Sequence, residues 1–211
     1  MKIAVINEVS ASHRNGDILA ALSPFDHEIY NLGMSSPEQK PELTYIHTGM
    51  MAGILLNMRI VDFVIGGCGT GQGFLNSAMQ YPGVFCGLIS DPLDAWLFSM
   101  INGGNCISLP LNKGYGWAGD INLSYVFEKL FDGEMGAGYP EHRKESQKRS
   151  RDKLREISLC THKSIYEMLE KTDRNILLPI SQMDPFIDLI GEYADEDMNV
   201  KKYFNFSNKD L

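Results

Sequence analysis

The 211-residue sequence predicts an α/β fold, a five-stranded parallel sheet covered by helices on both faces and followed by a helical C-terminal extension. Two observations carry that prediction. Up to about residue 133, five short apolar runs alternate with stretches of helical periodicity, the pattern of successive β–α units. Beyond that point the apolar runs stop, Gly133, Gly136 and Gly138 punctuate the chain, and only helical patterns follow. The expected division is therefore 1–135 and 136–211.

Each element has its own signal. Ile3 to Ile6 is a continuous apolar run, as in a strand buried on both faces. Residues 14–22 fit a helix that Pro24 stops, and Glu28 to Leu32 a second strand ending at Gly33. From Thr44 to Met58, Ile46, Met50, Ile54 and Met58 recur every four residues, which predicts a helix with one apolar stripe. Asp62 to Ile65 is the third strand and runs into a glycine-rich loop at 66–73, with a helix from near Phe74. Val84 to Ile89 is the fourth strand. Asp91-Pro92 then supplies an N-cap and a first-turn proline for a helix over 92–101. Cys106 to Leu109 is the fifth strand, and a helix capped near Asp120 aligns Leu123, Phe127, Leu130 and Phe131. In the extension, Leu154, Ile157, Thr161, Ile165 and Met168 mark one helix, and Asp184-Pro185 starts another with Phe186, Leu189 and Ile190 facing inward.

Composition narrows the function. A net charge of −8 argues against a polyphosphate-binding surface, and the one basic run, 143–155, reads as a solvated helix face, so no nucleic-acid partner is expected. No apolar run approaches the ~18 residues of a bilayer span, so no membrane association is expected. Four cysteines without a C-x-x-C pair fit a reduced, cytoplasmic protein rather than a disulfide scaffold or zinc ribbon. Cys86, Cys106 and Cys160 read as core residues, and Trp96 and Trp117 as core or interface. The five histidines show no metal-ligand spacing, so neither a metal nor a cofactor is expected.

The loop Gly66-Gly67-Cys68-Gly69-Thr70-Gly71-Gln72-Gly73 is the main functional signal. It lacks the Lys of a P-loop, and no G-x-G-x-x-G register fits it. Two readings remain open: a structural turn, or an active-site loop beyond a strand's carboxyl end. In the second, backbone N–H groups cradle substrate oxygens, and the helix N-terminus that follows makes Cys68 a candidate base or nucleophile.

GGCGTGQGF, then YPGVFCGLISDP, then INGGNCISLP resemble the RpiB/LacA/LacB sugar-phosphate isomerases in order and spacing, over residues 1 to about 145. The resemblance implies a Rossmann-like three-layer α/β/α sandwich, assembled as a homodimer or homotetramer with active sites shared between subunits. It also assigns residues. Cys68 matches the thiol that moves a proton between C1 and C2. Gly69, Thr70, Gly71 and Gly73 match the anion-stabilising loop, with Thr70 bonding the reacting oxygens. Tyr45 and His47 match the D-Y-P-H segment, and Asn102 and Asn105 match H-N-D-x-N. Departures matter equally. Glu8 and Val9 replace an Asp-His pair, Ile101 replaces the ring-opening histidine, Lys113 replaces an arginine, and Tyr139 replaces the first of two phosphate-clamping arginines while Arg143 keeps the second.

Lys for Arg and Tyr for Arg do not preserve a bidentate phosphate clamp. The expected substrate is therefore an open-chain sugar acid, and LTYIHTGMMA, VDFV, GCGTG, INGG, GWAG and MGAGYP are similar to the 4-deoxy-L-threo-5-hexosulose-uronate ketol-isomerase branch. A ribose-5-phosphate or galactose-6-phosphate isomerase is the alternative, and a non-catalytic sugar-binding protein is a third. Simpler roles stand beside the assigned ones. Glu8, at a strand end facing the ligand edge, could contact a substrate hydroxyl or cap the next helix; Tyr45 could pack a helix start, His47 could be a surface residue, and Asn102 and Asn105 could be turn residues.

Overall fold

In the computed structural model, residues 1–193 and 200–205 are described. Five parallel strands, β1 (Lys2–Asn7), β2 (Glu28–Asn31), β3 (Phe63–Cys68), β4 (Cys86–Leu88) and β5 (Cys106–Pro110), form one sheet in the order β2-β1-β3-β5-β4. The chain grows outward from β1 to β2, then returns to β1's other side for β3. That reversal opens a crevice beyond the carboxyl ends of β1 and β3, where sheets of this kind hold ligands. In register, Asn7 at the end of β1 faces Gly67, next to Cys68.

Successive strand residues point to opposite faces, and both faces are covered. Ile3, Val5, Phe63, Ile65, Ile107 and Leu109 pack with α1 (Asn15–Leu22) and α5 (Gly119–Leu130), joined by Ala95 of α4 (Pro92–Leu97). Ala4, Ile6, Val64, Cys68 and Cys106 pack with α2 (Tyr45–Asn57) and α3 (Gln72–Ala78). The chain thus folds as the α/β/α sandwich the alternation predicts.

Four local expectations need correction. β3 runs to Cys68 itself, so Gly66 and Gly67 are strand residues rather than loop. A Cβ on Gly66 would lie 2.1 Å from the Phe74 ring, and the bare backbone is what lets Phe74 seat there. α2 has no single stripe: residues 48–55 are all buried whereas Ile46 is exposed. The reason is a further layer. α7 (Ile165–Lys171) and α8 (Arg174–Ser181) cover α2 from outside with Leu169, Leu177 and Ile180, and α9 (Asp184–Glu192) packs against α8 and brings Phe186 into the same cluster. The helix expected over 154–168 is two. α6 (Lys144–Thr161) ends where His162 turns extended, and Ser164 restarts the chain with a capping box to Glu167. α8 gave no separate signal, and Pro179 lies inside it. The helix expected over 92–101 stops at Leu97 and continues as a wider π-helical turn, Phe98–Asn102. Its Asp91 cap forms as expected, accepting from Asp94 N at 2.9 Å.

Two further corrections concern exposure. Cys160 is exposed on α6 and is not the core residue expected; Trp117 is fully exposed on the segment after β5, which excludes the core reading and leaves the interface one. Among the described residues no helix is long and apolar enough to cross a membrane.

Candidate active site

Cys68 ends β3 with its side chain on the α2/α3 face, buried but not sealed, at 6% exposure. Its Sγ lies 4.0 Å from Thr70 Oγ1. Thr70 is exposed, and its hydroxyl also accepts from Gln72 N at 3.3 Å. Gly71, with φ of 75°, turns the chain into α3; a Cβ there would meet Leu88 and the β5 backbone.

The loop is held by hydrogen bonds from both neighbouring segments. Cys68 O accepts from Leu111 N (3.0 Å), and Gly69 O accepts from Asn112 N (3.0 Å) and Lys113 N (2.8 Å). Gly69 N donates to Ser10 Oγ (3.0 Å), and the fully buried Ser108 hydroxyl donates to Gly71 O (2.5 Å). Gly71 N turns back to Cys68 O at 3.3 Å. The N–H groups of Gly69, Gly71 and Gln72 are therefore engaged. Among the described residues, those of Thr70, Gly73 and Phe74 have no acceptor, and they are the donors left for a substrate oxygen. The expected cradle over Gly69 to Gly73 is narrowed accordingly.

Other predicted residues gather at this edge. Tyr45 begins α2 and lies against Gly73, where a Cβ would come within 2.7 Å of its ring. His47, one turn into α2, accepts the Thr44 backbone N–H on Nδ1 at 2.9 Å. A backbone N–H can only donate, so Nδ1 is unprotonated and Nε2 carries the proton. Burial holds the His47 pKa below its ordinary value. Glu8 is buried after β1 and caps nothing; its carboxylate accepts the Ser10 hydroxyl. Lys113 shares with Thr70 a cavity of about 280 Å³ floored by Leu88, Leu109 and Leu123.

Asn102 and Arg143 are elsewhere on the chain. With Ile101, Met79, Cys86 and Leu154 they line a second cavity, of about 470 Å³, that shares no residue with the first. Cys68 lines neither. Arg151 and Arg155 also border the larger cavity but are engaged. Arg151 donates to Ile101 O (2.9 Å) and Gly136 O (2.8 Å), and Arg155 pairs with Asp152 (2.9 Å). Arg143 and Lys113 form no ion pair among the described residues. Tyr139 stacks edge-on against Trp96 at 4.9 Å between ring centroids. Asn105 is engaged within the protein: its carboxamide accepts Phe85 N (2.9 Å) and donates to Gly83 O (2.8 Å), clasping the entry to β4. One protomer thus brings Glu8, Tyr45, His47, Gly69, Thr70, Gly71, Gly73 and Lys113 to the edge that carries Cys68, and leaves Asn102 and Arg143 apart.

The sequence reading missed Ser10, Ser108 and Asn112, which hold the loop. Ser10 lies three positions past β1, Ser108 inside β5 and Asn112 two positions past it, and nothing local marks a small polar residue at such places in advance. It also missed Asn7, fully buried with neither side-chain polar atom partnered among the described residues. The same residues show no group of three His, Cys, Asp or Glu able to hold a metal ion.

The chain is similar to known proteins. The model of the ribose/galactose isomerase family matches residues 3–133. A crystal structure of a ribose-5-phosphate isomerase from Vibrio parahaemolyticus is 38% identical, covering 97% of this chain and 99% of that one, with a TM-score of 0.91. A 4-deoxy-L-threo-5-hexosulose-uronate ketol-isomerase complexed with a tartrate is 37% identical, covering 98% and 100%, also at 0.91. A ribose 5-phosphate isomerase from Thermotoga maritima, 23% identical, shares the fold at 0.57 over 69% of this chain and 96% of its own. No curated protein sequence matches.

Proposed function

The chain belongs to the ribose/galactose isomerase family and is an aldose–ketose isomerase, and from that premise we propose that it interconverts 4-deoxy-L-threo-5-hexosulose uronate and the corresponding 2-ketose. Overall similarity does not choose the substrate, because two structures at 38% and 37% identity carry different substrate names. The residues around Arg143 carry the choice. Three arginines line the larger cavity, two are tied to the protein itself, and the aromatic ring at 139 stands where the family's first phosphate arginine is expected. A single guanidinium, unpaired among the described residues, matches a carboxylate better than a phosphate dianion. The ketol-isomerase structure with tartrate, a hydroxy-dicarboxylate, supports the same chemistry. Ile101, where the family has its ring-opening histidine, suits a substrate that is already open-chain.

Cys68 thiolate takes the proton from C2. The C–H electron pair becomes the C1–C2 double bond as the carbonyl pair moves onto O1, giving a cis-enediolate. The thiol returns the proton to C1 while O2 becomes the carbonyl and its proton passes to O1. Negative charge on the oxygens is met by the open N–H groups of Thr70, Gly73 and Phe74 and by the Thr70 hydroxyl. Lys113 and His47 Nε2–H border the same edge and bind substrate oxygens. Because Asn102 and Arg143 lie apart from Cys68 within one chain, a second copy supplies them. The exposed Tyr45, Ile46, Met79, Leu154 and Ile157 give that copy an apolar surface to meet.

Purified protein offered the uronate and ribose 5-phosphate separately, with carbonyl positions followed by NMR, tests the reading. Conversion of the uronate with the phosphate sugar untouched is expected. Selective conversion of the phosphate sugar makes the chain a phosphate-sugar isomerase instead, and conversion of neither supports a binding protein.

A further inference from the structure

The geometry points to Ser10 as a positioning residue that, oriented by the buried carboxylate of Glu8, fixes the Cys68–Gly69 peptide and with it the aim of the thiol. The contacts form one chain across the crevice between β1 and β3. Glu8 follows β1 at 4% exposure and accepts the Ser10 hydroxyl proton. With its proton committed there, the Ser10 oxygen turns a lone pair toward Gly69 N–H, which donates to it at 3.0 Å. Ser10 itself is set from the opposite side, since Asn112 Nδ2 donates to its carbonyl at 2.9 Å. Gly69 lies between the two: an added Cβ would be 3.2 Å from Asn112 Nδ2 and 3.3 Å from Ser10 Oγ.

The consequence is chemical. The peptide joining Cys68 to Gly69 has its N–H bonded by Ser10 and its carbonyl bonded by Leu111 N, so its plane has one orientation. Cys68 χ1 rotates about a bond attached to that fixed plane, and Thr70 follows two residues later. Proton transfer depends steeply on the placement of the base, and displacement by about 1 Å costs about 10²-fold. A hydrogen bond to an oriented hydroxyl is the kind of support such placement needs. Glu8 acts here through Ser10 and touches no reacting atom.

This inference rests on the assignment of Cys68 as the proton-transfer base, and the test separates the two. In the full chain, Ser10→Ala, Ser10→Thr and Glu8→Gln are compared with Leu130→Ala, a core change on the opposite helix layer. Two quantities are read: kcat and KM on the uronate, and the rate at which iodoacetamide alkylates Cys68, measured on the Cys68 peptide by mass spectrometry without substrate. Ser10→Ala is expected to lower kcat about 10- to 100-fold with KM within about 2-fold, and to speed alkylation several-fold as the loop loosens. Ser10→Thr keeps the hydroxyl and restores both. Glu8→Gln keeps an acceptor and changes each by less than Ser10→Ala, so it reports on the relay even if the alanine variant does not fold. Leu130→Ala lowers thermal stability and moves neither quantity. Unchanged alkylation in Ser10→Ala, or in Glu8→Gln should the first not fold, together with wild-type kcat overturns the positioning role. Faster alkylation with wild-type kcat upholds it and removes Cys68 from the chemistry.

Discussion

The two ends of the proposed site are built in opposite ways. The loop after β3 is held by contacts from β1, β5 and the segments that follow them, and the Cys68 carbonyl and both backbone polar groups of Gly69 and Gly71 have partners. The face carrying Asn102 and Arg143 is bounded by α6, an 18-residue helix of which only Ser158 is buried. α6 meets the body at few points, chiefly Ser158 Oγ accepting Gly83 N at 2.9 Å and Arg151 reaching the carbonyls of Ile101 and Gly136. A transferring proton needs fixed atoms, whereas a remote carboxylate needs only a cation within reach. The rigid region suits chemistry, and the lightly attached one suits recognition and subunit contact.

The largest effect that contrast predicts is at the rigid end. Cys68→Ala should lower kcat by at least about 10³-fold, within the range for removal of an acid–base group, while Tm changes by only a few degrees. Substantial residual turnover would mean the loop is scaffold rather than machinery. At the other end Arg143→Ala should raise KM about 10- to 100-fold with kcat nearly unchanged, the loss of one charge-assisted pair of about 1.5–3 kcal/mol. A fall in kcat with KM unchanged would move Arg143 to the reacting end and erase the distinction. Arg151→Ala should sharpen it. Losing two hydrogen bonds to the half-buried Ile101 and Gly136 carbonyls costs about 1–3 kcal/mol, which lowers Tm by several degrees, and KM rises because the turn carrying Asn102 loses its tie.

The smallest effect is a pH slope. Burial holds the folded-state pKa of His47 below its ordinary value of about 6.5, so the unfolded chain binds more protons in the window between the two. The stability that neutral His47 provides is present above about pH 6.5 and is lost as pH falls toward the folded value. Protonation of Nδ1 also removes the acceptor for Thr44 N. Denaturant melts of wild type and His47→Gln between pH 5 and 8 should therefore converge at the acid end. Parallel curves would show that His47 does not titrate differently on folding.

The same contrast explains what the sequence reveals. Five strands, the Asp91 cap and the loop bearing Cys68 are legible because local chemistry dictates them: two-sided burial gives apolar runs, and tight turns need glycine. α2 misleads because its outer face is covered by helices more than a hundred residues later, which no local periodicity contains. The break at 162–164 is masked because the apolar spacing on either side happens to continue. Asn105 has the right residue type in the right motif, yet its carboxamide closes a backbone gap at Gly83 and Phe85. Ser10 is the converse, an unremarked residue that tertiary structure brings to the loop 59 positions away. The fold and the loop bearing Cys68 are thus written locally, while the contacts that hold that loop are written only in the assembled chain.

Subunit complementation tests the central claim, that Cys68 of one copy works with Arg143 of another. Cys68→Ala and Arg143→Ala chains, each defective alone, are co-expressed with different tags, and the doubly tagged species is assayed at a uronate concentration well below KM. A mixed two-fold dimer holds one intact site, so activity should return to about half that of wild type. Activity no greater than the mean of the two single variants would place both residues in the same chain's site and contradict the account.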